Sequence, residues 1–302
     1  MDRLTTAQVS LRGVARLSPA LASRMALEMF FETRPRMRLH PAQAETDIAA
    51  TRRTLSVRDA SVRTYAWGAG VDAVLLVHGW RGRASQFAPL VRELVSEGLR
   101  VVSFDAPAHG ASTGRRTDIR DWLDAIRQLE RLHGPFRVII GHSFGALAAL
   151  TAVREGVHAD GVAAVSGAGS PAVFLERFGE LAAIPAPVRR RMPHDFARRL
   201  GESESSVRRR FDAVAHPLPA HVELLAVHDE GDRQVPLAAS EALVGAHAGR
   251  AWLVRTSGYG HGRILSADPA LDAIVAFARG GLRGIPSHAE RTERGSVDRP
   301  AS

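Results

Sequence analysis

The 302-residue chain contains no cysteine. Disulfides, thiolate metal sites and cysteine nucleophiles are excluded together, and the redox character of the compartment leaves no mark on the sequence. Lysine is absent as well: all 40 basic residues are Arg, which removes any Walker A lysine. The most apolar N-terminal stretch, LSPALASRMALEMFF at 17–31, is broken by Arg24 and Glu28. It therefore has neither a signal-peptide core nor the ~20 consecutive apolar residues of a membrane span. A cytoplasmic protein without a membrane span is expected. No H-E-x-x-H or EF-hand pattern occurs, so no metal is expected; no cofactor is expected either. The Arg excess gives a formal charge of +8, but the Arg residues are dispersed and no nucleic-acid recognition motif accompanies them. An Arg-biased solvated surface with no nucleic-acid partner is the plainer reading.

What is present fits a globular domain. A content of 45% hydrophobic and 24% charged residues over this length can bury a substantial core. Ser18 followed by Pro19 fits an N-cap and first helical position, which predicts an amphipathic helix over 19–32 inside an N-terminal helical extension, 1–53. From 54 onward short apolar runs alternate with helical patterns, the signature of a mostly parallel sheet covered by helices. Eight strands are expected. TLSVRD (54–59) and SVRTYAWG (61–68) are too close for a crossover and should form an antiparallel edge hairpin. AVLLVHG, RVVSFDA, FRVIIGH, DGVAAVSG, VELLAVHD and AWLVRTSG follow.

The polar, Arg-rich stretch 170–219 is too long for a plain connection and reads as a small helical cap inserted at the strand C-terminal end of the sheet, where ligands bind in open α/β sheets. It carries Arg189, Arg190, Arg191, Arg198, Arg199, Arg208, Arg209 and Arg210 against Asp195, Glu202 and Glu204. A substrate bearing a carboxylate or phosphate would be drawn there, but outward-facing Arg on short amphipathic helices is the plainer reading of the run. The domain should end near 283, and 284–302, which lacks periodicity, should be a disordered tail.

A chain of this composition would contain the string G-x-S-x-G roughly 0.2 times by chance. It occurs twice, as GHSFG at 141–145 and GASTG at 110–114, so context must decide. Serine is a weak nucleophile that needs an adjacent base and hydrogen-bond donors for the oxyanion formed on attack. Ser143 stands between an apolar strand and an apolar helix, where flanking glycines would relieve a sharp strand-to-helix turn. Ser112 follows its strand at a distance and precedes polar residues, so GASTG reads as a loop. The alternative for Ser143 is a small residue capping its own helix.

A serine triad on this architecture needs an acid and then a histidine on later loops at the same end of the sheet. Strand VELLAV runs into HDEGDRQVP, and strand AWLVRT runs into SGYGHGRIL. Asp229, Glu230 and Asp232 share the first of these loops, and His261 lies in the second.

The chain resembles the α/β-hydrolase superfamily over 54–280, and in particular its serine esterase and lipase-like members with a small helical cap. The resemblance rests on LLVHGW at 75–80, DAPAHGAS at 105–112, GHSFG at 141–145, HDEGDRQVP at 228–236 and GHGR at 260–263. It implies Ser143 as nucleophile, His261 as general base and then acid, and Asp232, four residues after His228, as the group that orients the imidazole. It also implies an oxyanion hole built from the backbone N–H groups of Trp80 and Phe144. Ser at the elbow argues against the dehalogenase and epoxide-hydrolase members, which carry Asp there. The expected function is hydrolysis of a small-molecule carboxylic ester or related acyl bond, with acyl transfer, or ligand or partner binding without turnover, as rivals. GAGSPA at 167–172 matches a loose dinucleotide fingerprint, but Pro171 disturbs the turn and no acidic strand end follows.

Overall fold

The computed structural model describes residues 11–285. The chain begins with helix α1 (Pro19–Phe30), whose first turn is capped by Ser18 accepting from the Leu21 N–H at 3.2 Å, and a short helix α2 (Ala44–Ile48). Strands β1 (Thr51–Val57) and β2 (Ala60–Trp67) form the expected hairpin, joined by the two-residue turn Arg58-Asp59 with Arg58 at φ 50°. A positive φ suits the turn twist that two-residue hairpins require. β1 starts before the expected residue 54, because Thr51, Arg52 and Arg53 continue the ladder opposite Ala66, Tyr65 and Thr64.

Then follow β3 (Ala73–Val77), α3 (Ala88–Ser96), β4 (Arg100–Phe104), α4 (Ile119–His133), β5 (Phe136–His142), α5 (Phe144–Arg154) and β6 (Ala159–Val165). Three helices, α6 (Pro171–Leu181), α7 (Ala186–Arg199) and α8 (Glu204–Phe211), occupy the connection to β7 (Glu223–Asp229). The chain closes with α9 (Leu237–Ala246), β8 (Ala251–Thr256), the short α10 (Gly260–Arg263) and α11 (Asp268–Gly280). A 3-10 turn at Gly281–Gly284 ends the described part, so the tail expected over 284–302 lies almost entirely outside the described residues.

The eight strands form one sheet in the order β1-β2-β4-β3-β5-β6-β7-β8, antiparallel at β1, β2 and β4 and parallel from β4 to β8. Successive strand side chains point to opposite faces, so the continuous apolar runs bury both. Leu75, Val77 and Ile139 face α4 and α5, packing with Trp122, Leu123, Ile126 and Leu147. Val74, Leu76 and Ile140 face α3 and α11, packing with Leu90, Leu94, Ile274 and Phe277. Each such side chain, fully buried, contributes roughly 1.5–3 kcal/mol relative to exposure. The fold is thus an α/β sandwich whose loops after β3, β5, β7 and β8 open at one end.

Candidate active site

The sheet order sets which loops can meet. β3 and β5 are hydrogen-bonded neighbours, with Val77 opposite Gly141, so the turns that follow them lie side by side. β7 and β8 are likewise neighbours, which places the loop of Asp232 beside that of His261. β6 stands between the two pairs. The segment around His261 must therefore reach back across the sheet end, and the hydrogen bond from His142 Nε2 to the His261 carbonyl at 2.8 Å holds it there.

Ser143 sits between β5 and α5 at φ 55°, ψ −121°, a conformation that L-residues rarely adopt. A Cβ at Gly145 would overlap the carbonyl oxygens of Val77 and His78, and one at Gly141 would overlap the Gly145 carbonyl and the Ala146 backbone. Both positions need glycine because two backbones approach at the elbow. Ser143 makes no capping bond to its own helix, in contrast to Ser18, Ser170 and Ser203, which cap theirs. Its hydroxyl is left for other partners, and the first N–H groups of α5 carry the positive end of the helix dipole beside it. Ser112 is 1% exposed; its hydroxyl donates to the Asp105 carbonyl and accepts from the Arg63 N–H at 2.9 Å.

Of the three acids on the loop after β7, Asp232 meets the imidazole: its Oδ2 accepts from His261 Nδ1 at 2.7 Å. The N–H groups of Gln234 (2.7 Å) and Val235 (3.0 Å) donate to Oδ1. Burial by itself would raise this carboxyl, but the hydrogen bond and charge of His261, with those two N–H groups, outweigh it and hold the pKa at about 2. Asp229 instead ties the loops together, accepting from Thr256 Oγ1, Tyr259 N–H and Gly231 N–H. Glu230 is exposed.

The histidines of the other motifs are structural. His78 Nε2 accepts from the Ala106 N–H at 2.9 Å, so Nδ1 carries the proton and donates to the Gly79 carbonyl at 2.7 Å. Burial lowers its pKa to about 4. His142 accepts at Nδ1 from Gln86 Nε2 (3.1 Å) and donates from Nε2, its ring 4.8 Å from that of His261. Burial, and then the neighbouring His261, lower it to about 3.

Ser143, His261, Trp80 and Phe144 line one cavity of about 480 Å³. No direct hydrogen bond joins Ser143 to His261 among the described residues; such contacts commonly tighten only when substrate arrives. The Trp80 ring stacks on Trp122 at 5.5 Å and meets Phe144 edge-on at 5.2 Å, while lining the cavity as well. None of the eight Arg residues counted on α7 and α8 lines this cavity; Arg191 pairs with Asp195, Arg199 with Glu28, and Arg210 with Glu155 and Glu202. Pro171 opens α6 with Ser170 as its cap, so GAGSPA serves as a helix entry. Four lining residues, Met29, Phe30, Glu32 and Met37, come from the N-terminal segment, and no motif announced them. Among the described residues no group of three or more His, Asp or Glu side chains is placed to hold a metal, and no helix is long and apolar enough to cross a membrane.

An elbow serine between β5 and α5, on an eight-stranded sheet of this order, defines an α/β hydrolase fold. The chain belongs to the alpha/beta hydrolase family, whose model matches residues 74–295. It is 26% identical over 212 residues to a monoacylglycerol lipase of Mycolicibacterium smegmatis, covering 57% of this chain and 74% of that protein. Among solved structures, it resembles a monoacylglycerol lipase of Paleococcus ferrophilus (TM-score 0.54, 21% identity, 72% of this chain and 98% of that one). An esterase of Pyrococcus furiosus is similar over 85% of this chain and 99% of its own (TM-score 0.58, 16% identity).

Proposed function

We propose that the protein is a serine hydrolase that cleaves a carboxylic ester through an acyl-enzyme on Ser143. The observation that carries this reading is the 2.7 Å contact of Asp232 with His261 Nδ1, with His261 in the same cavity as an uncapped elbow serine. That contact directs the second imidazole nitrogen, Nε2, to act as base. Ser143 Oγ adds to the ester carbonyl carbon as its proton passes to Nε2, and Asp232 stabilises the imidazolium that results. The negative charge on the carbonyl oxygen is met by the backbone N–H groups of Trp80 and Phe144, each such donor being worth on the order of 10²–10³ in rate. Collapse expels the alcohol, which takes the proton from His261. Water then adds to the acyl-enzyme by the same route in reverse roles and releases the acid. No cofactor enters any step.

Lipase and esterase relatives support the ester class. A fluorophosphonate probe tests the reading: labelling should map to Ser143 and vanish in Ser143→Ala, with p-nitrophenyl ester hydrolysis lost in parallel. A folded protein that takes no label and hydrolyses no ester would instead be a binding protein on a hydrolase fold.

A further inference from the structure

The family match begins at residue 74, yet one wall of the Ser143 cavity comes from before it. Met29 and Phe30 end α1, and Met37 follows in the extended segment; opposite them stand Phe174, Phe178 and Leu181 of α6. We propose that the N-terminal segment 29–37 is the specificity wall of the site, and that it selects esters of uncharged aliphatic acids, whose acyl chain lies between this segment and α6. The inference rests on the serine-hydrolase reading and adds to it the substrate class.

The segment is anchored rather than laid loosely over the opening. The Glu32 carbonyl accepts from both Trp80 Nε1 (2.9 Å) and Arg81 Nε (3.0 Å), so it grips the turn that presents the Trp80 N–H. Arg81 is held at φ 59° in that turn. Phe31 stacks on Phe196 at 5.7 Å and meets Trp80 at 6.0 Å, while the Arg199 guanidinium lies 4.3 Å over its ring. Arg36 donates to the carbonyls of Ser112 (2.7 Å) and Gly114 (2.8 Å). A wall pinned at both ends excludes what does not fit, because its displacement would break these bonds together.

Of the charged side chains that line the cavity, Arg177 and Glu32 flank the space between the N-terminal segment and α6, while Arg81, whose Nε the Glu32 carbonyl holds, lies on the Trp80 turn. Arg177 spends Nε and Nη2 on the Arg233 carbonyl and Nη1 on Glu180. Glu32 accepts from the Arg34 N–H at 2.8 Å. Between Met29, Phe30 and Met37 on one side and Phe174, Phe178 and Leu181 on the other, a ligand meets thioether, phenyl and isobutyl groups, which favour hydrocarbon over a carboxylate or phosphate. Methionine suits such a wall because its flexible, polarisable chain adapts to an alkyl surface. Each methylene that enters should raise kcat/KM up to about fourfold until the chain leaves the cavity.

The test uses the full chain and p-nitrophenyl esters from acetyl through octanoyl to palmitoyl, with the succinyl monoester as the anionic probe. The wild type should prefer octanoyl to acetyl and should hydrolyse the succinyl monoester more slowly than butyryl. Met29→Trp and Met37→Trp should each lower the octanoyl-to-acetyl ratio of kcat/KM by about tenfold. Val71→Trp, on an exposed loop outside the cavity, should leave the ratio unchanged. Met37 is 42% exposed, so its substitution carries the test even if Met29→Trp does not fold. An unchanged ratio in folded Met37→Trp, or a preference for the succinyl monoester, overturns the wall. Loss of the serine reading looks different: Ser143 would escape the fluorophosphonate, or Ser143→Ala would keep its activity.

Discussion

The two G-x-S-x-G strings share a pattern and nothing of their surroundings. GHSFG turns directly from a parallel strand into a helix, and its serine lines the cavity with a hydroxyl that makes no cap bond to its own helix. GASTG lies in a loop beyond β4, where buried Ser112 bridges the Arg63 N–H of β2 and the Asp105 carbonyl. Asp105 itself is fully buried and accepts from Tyr65 Oη, Ala84 N–H and Ala111 N–H, so the second string closes a structural knot. A hydroxyl becomes chemically useful when nothing in the fold consumes it and a base stands within reach. The same hydroxyl, satisfied and buried, only holds chain to chain.

Substitutions should separate the two serines by orders of magnitude. Ser143→Ala is expected to lower kcat by about 10⁶ with an unaltered melting temperature, read by ester hydrolysis and calorimetry. The same pair of measurements on Asp232→Asn should show a loss of about 10⁴ in kcat, because an amide no longer holds the imidazole in the productive tautomer. If Asp229→Asn produced that loss instead, the acid would have been assigned to the wrong side of the loop.

Acid should weaken the supports under both strings. His78 and His109 lie beneath the second and His142 beneath the first, all buried and neutral. Burial lowers their pKa values from 6.5 to about 4, about 3 and about 3 respectively. Between pH 6.5 and about 4 the unfolded chain takes up protons that the fold refuses, so unfolding is favoured as pH falls through that window. The slope is up to about 1.4 kcal/mol per pH unit for each imidazole. Asp232 adds to this only lower, as its carboxylate protonates between pH 3.8 and about 2. Denaturant melts at stepped pH would show it, and a flat profile from pH 7 to 4 would refute the burial argument.

The smallest effect belongs to Ser112→Ala. It leaves the Arg63 N–H without its acceptor and should lower stability by about 1–3 kcal/mol, with kcat retained. Loss of activity at constant stability would end the distinction between the strings.

Much of the architecture was legible because it is periodic. The hairpin, the six further strands and the helix over 19–32 follow from apolar spacing and from Ser18-Pro19, and each element lies within a few residues of its expected place. The β1 boundary was missed because Thr51, Arg52 and Arg53 are polar and exposed, so a strand held at the sheet edge by backbone pairing shows no apolar signature. The N-terminal wall was invisible for a different reason. Met29, Phe30 and Met37 read as an ordinary apolar helix face and tail, and no local pattern says which cavity such a face will close.

The sequence alone determined the strand-turn-helix at Ser143, since only glycine at 141 and 145 permits that approach, and it also determined the chain order of serine, acid and histidine. The tertiary structure decided that Asp232 rather than Asp229 meets His261, that Ser112 is sealed away, and that the N-terminal segment reaches the cavity. Backbone sterics and apolar period act over a few residues and are written locally. Contacts between loops depend on which strands become neighbours, and that is settled only when the whole sheet assembles.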